Sequence, residues 1–251
     1  MDFTIKKYKE LIQVLKDQGR SFQTFNEFLE KPNDKTIILR HDVDLLPHNS
    51  LVFAKLQKEL NIKGTYYFRA VPESWDERII LEIDSLGHEI GYHYENLTTC
   101  NGNYEKGILN FEKNLKALQK LAPVSTICMH GSPLSKYDSK DLWKKYNYRD
   151  FNITGEPYFD VNFDKVYYLT DTGRRWDGHK VSVRDKVHSS FNQTFHSTSQ
   201  IIEAVQSKQL PDQVMFTFHP QRWHDNTCLW FKEILFQNTK NLIKKYFFIS
   251  G

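Results

Sequence analysis

The residues in this chain best suited to chemistry sit where apolar runs stop. Ile37-Ile38-Leu39 leads through Arg40 into His41-Asp42-Val43-Asp44, a buried-strand pattern that ends on a histidine and two carboxylates. Side chains two apart on a strand project to one side, so a strand persisting to its end would let Asp42 and Asp44 share one metal ion and one water. The pattern recurs: stretches 87–92, 124–129 and 214–218 run into His93, His130 and His219, and 166–170 runs into Asp171. Imidazole nitrogens and carboxylate oxygens together suit a divalent ion, most often zinc, with a water in the open position. Such an ion makes hydroxide available near neutral pH, and the chemistry then needs a carboxylate for the water's proton and a donor for the leaving group. Asp44 and His93 are the best ligands on this reading, Asp42 the natural base and His219 the candidate acid.

Each of these has a blander reading. An acid after a strand often only caps the next helix, and Asp44 precedes a helix opened by Pro47. His219-Pro220 and His130-Gly131 could be turns, and His93 between Tyr92 and Tyr94 could be a satisfied, half-buried histidine. The coincidence of four such strand ends favours a site, because the bland readings would all have to hold together.

The elements that must position these residues alternate. Ile5, Tyr8, Leu11, Ile12 and Leu15 recur at helical spacing up to Gly19, and a second short helix is expected over 22–29. After the first strand, a helix carries Leu51, Ala54, Leu56 and Leu60; a strand follows at 65–69, a helix at 75–86 and a strand at 88–92. A long amphipathic helix with Ile108, Phe111, Leu115, Leu118 and Leu121 precedes the strand at 124–129. The rhythm weakens over 147–197, where turn signals at Thr172-Gly173 and Asp177-Gly178 suggest an inserted loop or hairpin. It returns as a helix at 199–206, the strand at 214–218, a helix at 229–245 and a final strand at 246–249. Strand–helix alternation predicts a parallel sheet with right-handed crossovers, closed or nearly closed into a barrel, whose C-terminal strand ends share one rim. A single domain is expected, with residues 1–33 as a helical N-terminal extension.

Composition narrows the class. Basic residues number 34 against 31 acidic, scattered and matched nearby, so nothing marks a nucleic-acid surface. Aromatic residues reach 14% of the chain, enough to build core and still wall a sugar-binding groove. Cys100, Cys128 and Cys228 are too few and too widely spaced for a disulfide framework or a zinc ribbon, which points to a reducing, cytoplasmic setting. No stretch has the length and apolarity of a membrane span.

Arg40-His41-Asp42-Val43-Asp44, then Gly64-Thr65-Tyr66-Tyr67-Phe68, then Gly87-His88-Glu89-Ile90-Gly91-Tyr92-His93, and a late Phe218-His219-Pro220 together resemble the polysaccharide deacetylases, carbohydrate esterase family 4. The resemblance runs from about residue 36 to 220 and implies a distorted (β/α) barrel and metal-dependent removal of an N-acetyl or related acyl group from a sugar or nucleotide sugar. It makes Asp42 the base, Asp44 and His93 metal ligands and His219 the late catalytic histidine. The family's second histidine falls at Leu97 here, so the third ligand passes to His130 or, less well, Glu95; the arginine–proline motif is not plainly present. Arg174 or Arg175 would orient a substrate carboxylate, Trp176 would stack on a sugar ring and Trp223 would line the groove. Two other functions stay open: hydrolysis of a cyclic amide on the same site, and glycan binding without catalysis on a degenerate site.

Overall fold

The computed structural model describes residues 1–132, 135–177 and 187–244. The apolar runs become strands: β1 (Ser21–Gln23), β2 (Thr36–Val43), β3 (Thr65–Phe68), β4 (Glu89–Tyr94), β5 (Ile127–Met129), β6 (Tyr167–Thr170) and β7 (Gln213–Phe218). Every residue of β2 is buried, as expected for a strand covered on both faces. α1 (Ile5–Asp17) precedes the strands; between them lie α2 (Phe25–Glu30), α3 (Pro47–Glu59), α4 (Glu77–Ser85), α5 (Asn96–Thr99), α6 (Tyr104–Gln119), α7 (Pro157–Asp160) and α8 (Thr198–Gln206), with α9 (Thr227–Lys244) after β7. Local chemistry starts several of them: Thr4, Asp76 and Asn103 accept backbone N–H groups in the first turns of α1, α4 and α6.

The seven strands form one sheet in the order β5-β4-β3-β2-β7-β6, with β1 beside the first half of β2 and β3 beside its second half. All pairings are parallel. Among the described residues β5 and β6 do not pair, so the architecture is a distorted, incompletely closed (β/α) barrel. Parallel pairing puts all C-terminal strand ends on one rim, which reads in spatial order His130, His93, Arg69, Asp42 with Asp44, His219 and Asp171. One glycine matters to that rim. A Cβ at Gly91 of β4 would lie 2.3 Å from the Tyr67 ring, so only glycine lets Tyr67 lie flat against the strand that carries His93.

Several sequence expectations change. Phe22 lies in β1 rather than in a helix, because Ser21–Gln23 pairs with Thr36, Ile37 and Ile38. Residues 1–33, expected as a helical extension, also hold β1, and Tyr8, Leu11, Ile12 and Leu15 of α1 are fully buried in the main core. The stretch 147–197 holds β6, a parallel edge strand on β7, and no hairpin among its described residues. The expected final strand at 246–249 and the turn at Gly178 lie outside the described residues. No helix among the described residues is long and apolar enough to cross a membrane.

Candidate active site

Asp44 is the first residue past β2, and it does not cap α3: the cap position is Leu46, in the left-handed region at φ 53°, with no side-chain hydrogen bond. The Asp44 side chain turns to the rim instead. Its Oδ1 is buried without a hydrogen-bond partner, while Nε2 of His93 and Nε2 of His130 each stand 3.5 Å away, too far for an ordinary N–H···O bond. Burial opposes charge on Asp44, but His93, His130 and His219 outweigh it and hold its carboxyl well below the usual carboxylate range. Gln221 donates to its other oxygen at 3.2 Å.

This spacing fits a divalent ion. Ligands about 2.0–2.1 Å from a tetrahedral ion are separated by roughly 3.3–3.4 Å, close to the two 3.5 Å gaps. The ligating atoms of Asp44, His93 and His130 all lie within 4.8 Å of one another. Both imidazoles are also wired for ligation: His93 donates Nδ1–H to the Cys128 carbonyl at 2.9 Å, and His130 Nδ1 meets the Glu95 carboxylate at 3.0 Å, so in each ring Nε2 is the nitrogen left facing the centre. A second set, Asp42, His93 and the Cys128 thiol, satisfies the same distance limit. Asp42 is less free to ligate, because Arg40 clamps it with Nε to Oδ1 at 2.8 Å and Nη2 to Oδ2 at 2.6 Å.

The other half of the rim is a supported histidine. Asp171, just past β6, accepts from His219 Nδ1 at 2.5 Å, from the His219 backbone N–H, and from Trp223 Nε1 at 2.6 Å. Burial would raise the Asp171 carboxyl, but His219 and Arg222 together bring it below its ordinary value. With Nδ1 engaged, His219 presents Nε2 toward Asp44 Oδ2, 3.8 Å away.

The expected residues divide sharply. Asp42, Asp44, His93, His130 and His219 come together. The three expected to line a substrate groove do not. Trp176 is 4% exposed, packs on Phe216 and Phe218 and donates to Thr198. Trp223 is 1% exposed and braces Asp171 from within the core. The Arg174 guanidinium is buried between the rings of Phe3 and Trp230. Arg175 pairs with Asp177. The two tryptophans are large and largely apolar, and the core claims them. Leu97, on α5, is likewise in the core. Sequence reading assigned no role to Arg40, Arg69, Asp171 or Gln221; for Arg40 there was a signal, a basic residue two before Asp42 on the same strand face.

No family model matches the chain, and no curated protein does. Solved structures do. A CE4 family pseudoenzyme from Bacillus anthracis aligns over 84% of this chain and 62% of its own length, at 15% identity and a TM-score of 0.46. A CE4 esterase from Streptococcus mutans aligns over 87% of this chain and 84% of its own, at 14% identity and 0.46. The peptidoglycan deacetylase PdaC from Bacillus subtilis aligns over 86% of each, at 11% identity and 0.43. The chain is similar to carbohydrate esterase family 4 structures. It spans less than two thirds of the length of the pseudoenzyme. At these identities and scores, the case for any chemistry rests on this chain's own residues.

Proposed function

We propose that the chain is a metal-dependent hydrolase that removes an N-acetyl or related acyl group from a sugar or polysaccharide precursor. One observation carries the reading: three ligating atoms, one on a buried and unpartnered carboxylate oxygen, converge from three strand ends between a clamped aspartate and a supported histidine. Asp44, His93 and His130 would hold the ion, zinc by the N₂O donor set, leaving a position open as hydrolytic zinc sites do. When bound, the ion supplies Lewis acidity toward an amide carbonyl and toward water.

The chain's own residues do the rest. Asp42, fixed by Arg40 with Oδ2 at 3.6 Å from His93 Nε2, stands beside the ligands to take the water's proton. His219, its Nδ1–H held by Asp171, directs Nε2 across Asp44 and delivers a proton from there to the departing amine nitrogen. Trp223 and Arg222 keep Asp171 in place, so the imidazole does not need to reorient during the reaction.

The test is to strip the protein of metal, titrate zinc, and measure acetate release from N-acetylglucosamine oligomers. One ion per chain with acetate release, and loss of both in His130→Ala, is the expected result. A folded protein that takes up no zinc, cobalt or manganese on reconstitution would sink the proposal.

A further inference from the structure

Position 97, four residues after His93, holds a buried leucine, so a third ligand has to come from elsewhere on the rim, and the end of β5 supplies His130. A histidine just past a strand end that is only partly buried (15% side-chain exposure) would ordinarily sample several rotamers and both tautomers. Three contacts remove that freedom. Glu95, just past β4, sets Oε2 at 3.0 Å from His130 Nδ1. Arg69, just past β3, grips the other oxygen of Glu95, with Nε at 2.8 Å and Nη2 at 2.6 Å. The same guanidinium donates through Nη1 to the backbone carbonyl of Asp44 at 3.1 Å. Arg69 thereby ties the residue carrying the carboxylate ligand to the carboxylate that aims the imidazole ligand, across four neighbouring strand ends.

We propose that Arg69 and Glu95 form a positioning clamp that makes His130 a ligand: Glu95 fixes the Nδ1–H tautomer and the ring direction, and Arg69 sets the distance between His130 and Asp44. Glu95 is itself no ligand, since Arg69 holds Oε1 while Oε2 accepts from His130 and, at 3.4 Å, from the Ser132 hydroxyl. The clamp deepens the reading given above and rests on it only for the identity of what His130 binds; the tautomer is a property of the metal-free protein. A carboxylate that accepts the far N–H of a metal-bound imidazole is worth about 10–100-fold in metal affinity or activity.

The experiment has two arms on metal-free protein. In the first, nitrogen chemical shifts of imidazole-labelled protein report the His130 tautomer, assigned by its loss in His130→Gln. In the second, zinc affinity is measured by competition with a chelator for wild type, Glu95→Gln, Glu95→Asp and Arg69→Lys. The clamp requires His130 to carry its proton on Nδ1 in the wild type. It further requires a tautomer mixture and about 10-fold or greater weakening in Glu95→Gln, partial recovery in Glu95→Asp and an intermediate loss in Arg69→Lys. A wild-type His130 protonated on Nε2 overturns it whatever the variants do, as does unchanged zinc affinity in a folded Glu95→Gln protein. If the wild type shows the Nδ1–H tautomer yet binds no zinc, the hydrolase reading fails while the orientation of His130 by Glu95 stands.

Discussion

His41 and Asp42 are neighbours on one strand, yet they belong to two polar clusters that differ in the property that matters. On one face of the sheet, His41 is closed off: Nδ1 meets the Thr65 carbonyl at 3.1 Å, Nε2 meets Gln57 at 2.8 Å, Gln57 reaches the hydroxyls of Tyr8 and Tyr66, and the ring stacks on Tyr66 at 4.2 Å. Burial pushes its pKa down to about 3, so it sits neutral and satisfied. On the other face, Asp42 and its rim neighbours are braced from behind but open in front: Asp44 Oδ1 has no partner and two imidazole nitrogens stop 3.5 Å short of it. Residue type does not separate structural from chemical histidines here. What separates them is whether hydrogen bonding is completed or left with a gap the size of an ion.

Changing each cluster in turn should expose that difference. The largest effect is expected from Asp42→Asn, with acyl hydrolysis lowered at least about 100-fold because general-base help is lost. The same change should cost about 1–3 kcal/mol of stability, because Arg40 is buried and loses its charged partner, while zinc stoichiometry is kept. Turnover within a few-fold of wild type would remove Asp42 from the reaction. Opening the closed cluster should do the reverse: His41→Ala is expected to cost about 2–4 kcal/mol in chemical denaturation by stranding the Thr65 carbonyl and Gln57 and removing the ring stacked on Tyr66, with zinc affinity within about threefold of wild type. A His41→Ala protein of normal stability would show that the cluster does not support the fold.

The last effect is on pH dependence. His41 has its pKa lowered from 6.5 to about 3 and His88 from 6.5 to about 4, both chiefly by burial. Between those limits these two histidines bind protons in the unfolded chain but not in the folded one, so their contribution is complete above about pH 6.5 and is lost as the pH drops toward 4, against an opposite contribution from Glu156, whose carboxyl burial pushes up to about 7. Each such histidine contributes a slope of at most about 1.4 kcal/mol per pH unit. His41→Ala should flatten the profile of the metal-free protein by one proton's worth, leaving the His88 contribution; an unchanged slope between pH 6 and 4 would contradict the closed-cluster reading.

Much of the site was legible because strand ends announce themselves. An apolar run gives the strand, its length gives the end, and strand–helix alternation gives parallel pairing, so Asp42, Asp44, His93, His130 and His219 could be assigned to one rim without coordinates. The partners of those residues were not legible. Glu95 and His130 are 35 residues apart and His219 and Asp171 are 48 apart; each pairing depends on the order of the strands in the sheet, and local pattern carries no record of that order. The groove expectation failed for a related reason. An Arg-Trp pair on a turn-rich stretch looks exposed in sequence, but α1, α8 and α9 cover that end, and the apolar surface of Trp176 and Trp223 is worth more against Phe3 and Phe218 than against water.

The sequence by itself determined which side chains stand at the strand ends and hence which donors the rim can offer, because period-2 alternation and buried apolar runs are local properties of the chain. Only the tertiary structure decided which of them converge. Ligand geometry depends on ångström-scale separations between strands brought together from distant parts of the chain, and those are set by sheet order, register and the packing of helices behind the rim.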